Sequence, residues 1–381
     1  MTKKIKVLSV FGTRPEAIKM APLVRALAKE QEIESTVCVT GQHRHMLDQV
    51  LTLFDIVPDI DLQVMQKSQS LNGLFGRVLD ATNNLLIDSR PDYVLVHGDT
   101  TTAAAAGIAS FHLGIPVGHI EAGLRTGNLF QPYPEEANRR IVDVLSSIMF
   151  APTKTAKKML VQECLSGQIL VTGNTIIDAL SLTAERLKND VFLSSQISQR
   201  FPYIDKQKRL VLVTGHRREN IGDGFIQICE ALREISKDKD LQVVYPVHLN
   251  PRVRETVVPM LSTCPNIYLI DPLDYIEFVW MMMQSTLILT DSGGIQEEAP
   301  FLGIPVLVLR EVTERPEALT TGLVMLVGTS TNQIVREARR VLSQTKRKKG
   351  FSPYGDGQAS KRIVDALCGR LVNEFDCITA N

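Results

Sequence analysis

The chain has no excess of charge of either sign, because its 42 Lys and Arg side chains are matched by 42 Asp and Glu side chains. Proteins that bind nucleic acids or membrane surfaces carry a basic excess, so the composition argues against both partners. Long apolar runs are also lacking, and none approaches the ~20 residues that a membrane-spanning helix needs. The apolar run Val7–Phe11 is too short for a signal-peptide core and predicts a buried strand. We therefore expect a cytoplasmic protein.

Paired cysteines and metal-binding motifs are missing as well. The six cysteines are scattered without a CxxC pair, which favours free thiols in a reducing compartment. Neither His43 with His45 nor Glu135 with Glu136 has the spacing of a HExxH or Cys/His zinc site. The chain also has no GxGxxG fingerprint, P-loop lysine signature or GxSxG elbow. We therefore predict neither a metal nor a cofactor.

Short apolar runs alternate with amphipathic helical patterns, and this rhythm predicts parallel strands covered by helices on both faces. In the first half the predicted strands are Ile5–Val10, Ser35–Val39, Tyr93–His97, Pro116–Ile120 and Ile148–Ala151. In the second half they are Arg209–Val213, Leu241–Tyr245, Ile267–Ile270, Thr286–Thr290, Pro305–Leu309 and Leu323–Val327. Because the rhythm restarts, we predict an α/β protein with two Rossmann-like domains.

The length of 381 residues also suits two domains better than one. We place the crossover near Gly173, with an N-terminal domain at 1–172 and a second domain at 173–359. A closing helix, from about Ser360 to Phe375 within the segment 360–381, is expected to pack back on the first domain. The basic run Lys346–Lys349 is interpreted as a solvated helix end.

Chemically useful side chains repeatedly follow predicted strands, where open parallel sheets bind their ligands. Arg14 follows the first strand and offers a cation for phosphate, although this segment also suits a plain turn into a helix. Gly12, just before it, permits a tight turn. Asp99 follows the central strand directly before an Ala-rich helix, and its position alone favours an N-cap.

Two further acidic segments follow in the first half. Glu121 comes at a strand end, whereas Glu135 and Glu136 also suit the start of a helix. Together with Asp99, three adjacent loops carry carboxylates that are placed to act as general acids or bases. Like charges brought close together would raise their affinity for protons.

The second half carries histidines at two successive strand ends. His216 and His248 are candidates for charge-switching groups, with a structural role as the alternative. The turn Ser292–Gly294 leads from a strand into a helix, which suits either a diphosphate or a plain turn. Glu298, one turn later, is placed to accept hydrogen bonds from ribose hydroxyls. Arg310 and Arg315 follow within reach along the chain.

These segments closely resemble the bacterial non-hydrolysing UDP-N-acetylglucosamine 2-epimerases. The matching stretches span the chain in the family's order and read FGTRPEAIKMAPL, HGDTTT, GHIEAGLRTG, PEEANR, VTGNTIIDAL, TGHRREN, YPVHLNP, LTDSGGIQEEAP, TERPEA and SPYGDGQAS. The resemblance implies a glycosyltransferase-B-like fold, with the two domains facing a central cleft that holds the substrate. It also implies interconversion of UDP-N-acetylglucosamine and UDP-N-acetylmannosamine, without metal or cofactor, by a homodimer that supplies surface polysaccharide synthesis.

The resemblance also assigns residues. By motif match the catalytic group is Asp99, Glu121, Glu135 and His216. The substrate-binding residues are Arg14, Lys19, Phe278, Ser292, Gly293, Gly294, Glu298 and Arg315. A second, activating UDP-N-acetylglucosamine site of some members corresponds to Gln42, His43, Gln69, Glu136, Arg217 and His248.

Some positions depart from the family pattern. His45 and Ser68 stand where enzymes with the second site carry Gln and Arg, and a missing Arg removes a bidentate partner for phosphate. Near the UDP site, Glu311–Val312 replaces Asp-Thr. Gln131 and Phe301 stand where serine is common.

Three other functions fit the same residues. A glycosyltransferase of the same fold would need an acceptor and would form no epimer. A hydrolysing epimerase would release free N-acetylmannosamine and UDP. A UDP-sugar-sensing protein would bind without turnover, but anionic ligands do not favour acidic walls that have no proton to transfer.

Overall fold

The computed structural model describes residues 3–41, 44–66, 69–344 and 350–377, without the side chains of residues 44–46 and 218. The chain divides into two compact units. Unit 1 comprises Met1–Ala179 with Tyr354–Cys377, and unit 2 is built on Leu180–Pro353. The basic run Lys346–Lys349 lies outside the described residues.

Strands and helices alternate along the chain. The strands are β1 (Ile5–Phe11), β2 (Ile33–Val39), β3 (Ile60–Asp61), β4 (Tyr93–His97), β5 (Val117–Ile120), β6 (Ile148–Ala151), β7 (Gln168–Val171), β8 (Arg209–Thr214), β9 (Leu241–Pro246), β10 (Ile267–Ile270), β11 (Ser285–Thr290), β12 (Val306–Val308) and β13 (Val324–Leu326). The helices are α1 (Arg14–Lys29), α2 (Arg44–Leu53), α3 (Leu71–Ser89), α4 (Thr101–His112), α5 (Glu135–Leu145), α6 (Lys154–Gln162), α7 (Thr175–Asn189), α8 (Val191–Gln199), α9 (Asp223–Ile235), α10 (Pro251–Leu261), α11 (Tyr275–Gln284), α12 (Gly293–Phe301), α13 (Pro316–Leu319), α14 (Thr331–Leu342) and α15 (Ala359–Leu367).

Unit 1 is built on a parallel sheet. Among its described residues, seven strands lie in the order β3-β2-β1-β4-β5-β6-β7. Val10, Val96 and Val117 of the central strands pack with Ala103 and Ala106 of α4 in one buried cluster. The small side chains of α4 let it lie close to the sheet. Because β1, β4 and β5 are neighbouring parallel strands, their carboxyl ends meet at one edge.

Unit 2 contains a second parallel sheet. Within the part of the chain that the structure describes, six strands lie in the order β10-β9-β8-β11-β12-β13. Val213 and Leu289 of its two central strands pack with Phe225 and Leu232 of α9. Two Rossmann-like domains with parallel sheets, as predicted, are confirmed. The carboxyl ends of β8, β9 and β11 again lie at one edge.

The turn after β1 depends on the missing side chain of Gly12. A Cβ atom there would lie 2.0 Å from Thr40 Oγ1, so any larger residue would clash. Position 12 therefore requires glycine because a side chain would clash with Thr40, and not because the backbone is left-handed there. The turn enters α1 through a capping box, in which the side chains of Thr13 and Glu16 each bond the other's backbone N–H.

The C-terminal helix α15 is shorter than predicted. It packs against α1 of unit 1 but ends at Leu367, because Gly369 adopts a φ of +68° and turns the chain away. Residues 370–377 continue without helix. At its other end, Asp178 of α7 caps α15 by accepting the backbone N–H groups of Ala359 and Ser360 at 3.2 and 2.7 Å.

Candidate active site

Glu121 follows β5 directly, and two side chains hold its carboxylate. Lys19 of α1 forms an ion pair with Oε2, and Asn174 Nδ2 donates to the same oxygen at 2.8 Å. Glu121 has a φ of +67°, in the left-handed region that residues other than glycine seldom adopt. Such backbone strain costs roughly 1–3 kcal/mol and concentrates at functional sites. A carboxylate this tightly held is suited to move a proton at a fixed position.

Asp99 follows β4, but it does not cap the next helix. The N-cap of α4 is Thr100, whose hydroxyl accepts a hydrogen bond from Ala103 N at 3.0 Å. The N-cap role that position alone favours for Asp99 is therefore wrong. Its carboxylate instead pairs with Arg139, and its carbonyl oxygen accepts from Asn138 Nδ2 at 3.0 Å. The Asp99 side chain stays 30% exposed, so a ligand has access to it.

Glu135 and Glu136 lie in the first turn of α5, where their charge suits the helix dipole. Glu136 is fully buried, accepts a hydrogen bond from Thr126 N at 3.1 Å and forms ion pairs with Arg139 and Arg140. Glu135 differs, since its Oε2 is buried and accepts no hydrogen bond from the described residues. Glu136 thus fixes the start of α5, whereas one carboxylate oxygen of Glu135 has no hydrogen bond from the described residues.

His97 ends β4 beside the Glu121 carboxylate. Its Nε2 lies 3.8 Å from Glu121 Oε2, which is too far for a hydrogen bond. Burial lowers the pKa of His97 to about 3, and Lys19 and His119 act in the same direction although Glu121 opposes them. His97 is therefore neutral at physiological pH and adds no charge beside Glu121.

Arg14 and Lys19 lie on α1, whose first turn is anchored to the loop after β4. Glu16 receives hydrogen bonds from Gly12 N at 3.1 Å and from Thr100 Oγ1 at 2.6 Å. Burial raises the pKa of Glu16 even though these hydrogen bonds oppose the shift. The half-buried Arg14 opens the helix and Lys19 contacts Glu121 one turn further on.

In unit 2, the start of α12 forms an anion-binding corner. Ser292 is the N-cap, but its side chain makes no cap hydrogen bond there, so the first-turn N–H groups are left to a ligand. A Cβ on Gly293 would lie 3.8 Å from Arg217 Nη2 and 3.9 Å from Arg315 Cζ. Two guanidinium groups therefore flank the positive end of the helix, as phosphate recognition requires.

Further along α12, Glu298 is buried and accepts a hydrogen bond from Tyr275 Oη at 3.4 Å. Burial raises the pKa of Tyr275 well above its usual range, and the neighbouring Glu298 adds to the shift. Phe278 lies on the same helix as Tyr275 and is half-buried. Arg315 forms an ion pair with Glu297.

His216 follows β8 and is aligned by Asp291, the residue after β11. The buried Asp291 carboxylate accepts the backbone N–H groups of His216 and Arg217, each at 2.9 Å to Oδ2. Burial lowers the pKa of His216, helped by Arg217 and His248 and opposed by Asp291. The ring is therefore neutral at pH 7 and can accept a proton. It also stacks on His248, with 5.5 Å between ring centres.

The described residues matched to a second site belong to both units. Gln69 pairs with Arg77 in unit 1, and Glu136 is buried in the same unit. Arg217 and His248 lie in unit 2, and Arg217 contributes to the corner at α12. Gln42, His43 and Ser68 lie outside the described residues, and the side chain of His45 is not described.

Arg310 does not belong to the anion-binding corner. Its guanidinium is buried and forms ion pairs with Glu219 at 2.6 Å and with Glu314 at 2.7 Å. Although burial opposes it, the guanidinium of Arg310 holds the pKa of Glu314 down to about 2. Arg310 is thus neutralised by two carboxylates and fastens the loop that carries Arg315.

Two side chains that contact the carboxylates of Glu121 and Asp99 are not assigned a role from the sequence. Asn174 binds Glu121, and Arg139 binds Asp99. The rule of strand ends would have found Asn174, because it closely follows β7, but β7 was not predicted. Arg139 carries no such signal, since it lies inside a helix.

The described part of the chain contains neither a candidate metal-binding cluster nor a helix suited to span a membrane. No group of three or more His, Cys, Asp or Glu side chains there could hold a metal ion. None of its helices combines the length and apolar character needed to cross a membrane.

Comparisons with known proteins identify the family of the chain. The family model of UDP-N-acetylglucosamine 2-epimerase matches residues 25–368. The UDP-N-acetylglucosamine 2-epimerase of Escherichia coli strain K12 is 54% identical over 369 residues, which cover 95% of this chain and 98% of that protein. The Neisseria meningitidis enzyme, solved bound to UDP-GlcNAc, superposes with a TM-score of 0.88 at 49% identity, covering 96% of this chain and 100% of that one. The Methanocaldococcus jannaschii enzyme, solved in complex with UDP-GlcNAc and UDP, superposes with a TM-score of 0.79 at 32% identity. The match covers 96% of this chain and 100% of that one.

The two parallel sheets and the acidic and cationic strand ends define an α/β enzyme of glycosyltransferase-B-like fold. Both the family model and the relatives cover nearly the whole chain. The chain belongs to the UDP-N-acetylglucosamine 2-epimerase family, an isomerase family, and the resemblance inferred from its motifs is confirmed.

Proposed function

We propose that this enzyme interconverts UDP-N-acetylglucosamine and UDP-N-acetylmannosamine by eliminating UDP and adding it back. The observation that carries the proposal is the set of carboxylates at the sheet edge of unit 1. Glu121 is held by Lys19 and Asn174, and Asp99 is held by Arg139. Two relatives with this fold were solved with UDP-GlcNAc bound, which supports the same substrate here.

The chemistry explains why carboxylates are needed. C2 of the sugar is not next to a carbonyl, so its proton is not acidic in the ground state. When the C1–O bond breaks, its electron pair leaves with the β-phosphate of UDP, and the ring becomes oxocarbenium-like. A carboxylate then takes the C2 proton, and the C–H electron pair forms the C1=C2 bond of 2-acetamidoglucal. The reverse steps, with the proton delivered to the opposite face, give the epimer.

Asp99, Glu121 and Glu135 are the candidates for these proton transfers. Inversion requires a proton to leave one face of C2 and another to arrive on the other face, so at least two acid–base groups must serve it. Glu121 and Asp99 are positioned by ion pairs, and Glu135 has a buried oxygen without a hydrogen bond among the described residues.

The leaving UDP gains charge, so its binding groups must already be in place. We assign the diphosphate to the N–H groups at the start of α12 together with Arg315. Arg14 of unit 1 is assigned to substrate binding. One preorganised donor of this kind lowers a barrier by about 3–4 kcal/mol. His216, with its lowered pKa, contributes a neutral ring nearby. Glu298 is assigned to the ribose hydroxyls and Phe278 to the UDP part.

A glycal that meets water in the site would be lost to side reactions, so we expect the site to exclude water during turnover. In the same proposal the enzyme is a cytoplasmic homodimer, needs no metal or cofactor, and supplies surface polysaccharide synthesis. Light scattering on the purified protein tests the dimer, and exhaustive chelation before assay tests metal independence.

Incubation with UDP-N-acetylglucosamine alone separates the candidate reactions, with sugar NMR as the readout. We expect a stable mixture of two UDP-sugars with no free sugar. Free N-acetylmannosamine with UDP would identify a hydrolysing epimerase instead. If the substrate stays unchanged alone and is consumed only when an acceptor is added, the enzyme is a glycosyltransferase. Binding without any turnover would identify a sensor.

A further inference from the structure

His119 lies on β5, two residues before Glu121, and is completely buried. Its ring contacts an oxygen at each nitrogen: Nε2 lies 2.7 Å from Gly98 O, and Nδ1 lies 2.6 Å from Asp143 Oδ1. A carbonyl oxygen accepts hydrogen bonds only, and an ionised carboxylate does the same. A neutral imidazole has one N–H group, so only a ring protonated on both nitrogens donates to both partners.

Asp143, on α5, extends this contact into a buried ion network. Its Oδ2 accepts from Gly123 N at 3.3 Å and pairs with Arg125 Nη1 at 2.8 Å. Arg125 in turn pairs with Glu163 at 2.6 Å. Although burial opposes them, His119 and Arg125 hold the pKa of Asp143 below its usual value. Arg125 and the contacts with Gly123 N and the His119 ring thus compensate the buried Asp143 carboxylate, while Glu163 pairs with Arg125 at the exposed end of the network.

The network joins the segments that carry the candidate catalytic carboxylates. Gly98 precedes Asp99, His119 and Gly123 flank Glu121 on either side, and Asp143 lies on the helix that begins with Glu135. Gly98 and Glu121 both have left-handed backbones, with φ values of +62° and +67°. A strained residue such as Glu121 keeps its backbone conformation only when the surroundings fix it, and this network supplies bonds on both sides of Glu121.

We propose that His119 is a positioning residue, which through its two hydrogen bonds holds the loops of Asp99 and Glu121 in the geometry needed for proton transfer at C2. The inference rests on the proposed function but assigns a residue outside the carboxylate set. His119 itself is fully buried and needs no contact with substrate. The charged and titratable groups around it are Asp143, Arg125 and His97.

Two substitutions separate the two hydrogen bonds. The amide nitrogen of glutamine reaches roughly the place of Nε2, so His119→Gln keeps a donor for Gly98 O. The amide nitrogen of asparagine reaches roughly the place of Nδ1, so His119→Asn keeps a donor for Asp143 but releases the loop of Asp99. Displacing a catalytic group by about 1 Å costs around 100-fold in rate.

We expect His119→Asn to lower kcat by about 100-fold and His119→Gln by about 10-fold, with KM within about twofold of wild type in both. The matched control is Val142→Ala, which empties space at a fully buried position next to Asp143 but removes no hydrogen bond. It should lower the melting temperature and leave kcat within about twofold.

Wild-type kcat in both His119 variants would overturn the inference. So would a loss in KM alone, or an equal loss of kcat in Val142→Ala. If the His119 variants do not fold, ¹⁵N NMR of the wild-type histidine ring decides, since a ring protonated on one nitrogen only would contradict the two donated bonds. Absence of epimerisation by the wild-type enzyme would instead refute the proposed function, and the NMR result would still stand for the network.

Discussion

The two units present opposite chemistry at the carboxyl ends of their strands. In unit 1 the strand ends carry Asp99 and Glu121, and each carboxylate is paired with a cation. In unit 2 the start of α12 presents backbone N–H groups between Arg217 and Arg315. Both units are built on parallel sheets, so the difference lies in the residues at the strand ends and in the helices that follow them.

This contrast separates proton transfer from nucleotide binding. Carboxylates would repel a diphosphate, so their presence in unit 1 makes sense where a proton has to move. Helix N–H groups and guanidinium groups stabilise negative charge but do not take a proton from carbon. We therefore expect substitutions of Asp99 and Glu121 in unit 1 to lower kcat, and substitutions at the start of α12 or at Arg315 in unit 2 to weaken UDP binding.

The largest effect is expected from Asp99→Asn and Glu121→Gln. Each change keeps the shape of the side chain but removes the acid–base group, so kcat should fall by on the order of 1,000-fold. Affinity for UDP, measured by calorimetry, should stay within about threefold because neither residue is assigned to the diphosphate. A 100-fold loss of UDP affinity with kcat intact would break the division between the units.

The converse substitution is Arg315→Lys in unit 2. Lysine keeps the charge but loses the planar fork, so affinity for UDP should fall by roughly 10- to 100-fold. At saturating substrate, kcat should fall much less. Arg336→Lys, at an exposed ion pair with Glu337, is the control and should leave UDP affinity unchanged. Equal losses in both variants would show that overall charge alone matters.

A third prediction concerns stability in unit 1. Because the pKa of His97 falls from 6.5 to about 3 on folding, the unfolded chain binds a proton between these values and the folded protein does not. The contribution of His97 to the free energy of unfolding is fully present above pH 6.5. It decreases as the pH falls below 6.5, and the loss reaches roughly 2 kcal/mol at pH 5. Denaturant unfolding of His97→Gln should show a correspondingly flatter profile from pH 7.5 to 5.

The control for His97→Gln is Val96→Ala, which shortens a buried side chain at the neighbouring strand position. It carries no titratable group, so it should lower stability by a similar amount at every pH. If the free energy of unfolding depends on pH equally in His97→Gln and wild type, other titratable groups cause the loss of stability in acid.

The smallest effect is expected from Tyr275→Phe in unit 2. The change removes the hydroxyl that donates to Glu298 at 3.4 Å, so that carboxylate loses one of its positioning contacts. UDP affinity should fall by roughly three- to fivefold, as for a single hydrogen bond. Tyr245→Phe removes a buried hydroxyl that has no partner among the described residues, and UDP affinity should not change. Equal losses of UDP affinity in Tyr275→Phe and Tyr245→Phe would contradict a specific role of Glu298 in binding the nucleotide.

Hydrophobic periodicity was sufficient to predict most of the fold. The bounds predicted for Tyr93–His97, Ile148–Ala151 and Ile267–Ile270 match the structure, because each run is apolar and is followed by turn or polar residues. The short strands Ile60–Asp61 and Gln168–Val171 were missed, since one has two residues and the other begins at an exposed Gln. Ile60–Asp61 carries too little apolar sequence to be distinguished from a loop, and Gln168–Val171 has only three apolar residues after its exposed Gln.

Site residues that directly follow strands could be predicted from the sequence. Contacts that form only when distant segments pack together could not. Glu121 and Asp99 stand at strand ends, so topology alone brings them to one sheet edge. That Thr100 rather than Asp99 caps α4 depends on the backbone at the turn, which the pattern does not reveal. The contact between His119 and Asp143 joins residues 24 positions apart through a helix and a strand, and no local signal predicts it.

The most direct test of the account is turnover in deuterated water, with mass spectrometry and NMR of both UDP-sugars. If UDP leaves first and a carboxylate then removes the C2 proton, product and recovered substrate should both gain deuterium at C2. Full retention of the original hydrogen at C2 in both sugars, over many turnovers, would contradict the elimination and the roles assigned to Asp99 and Glu121.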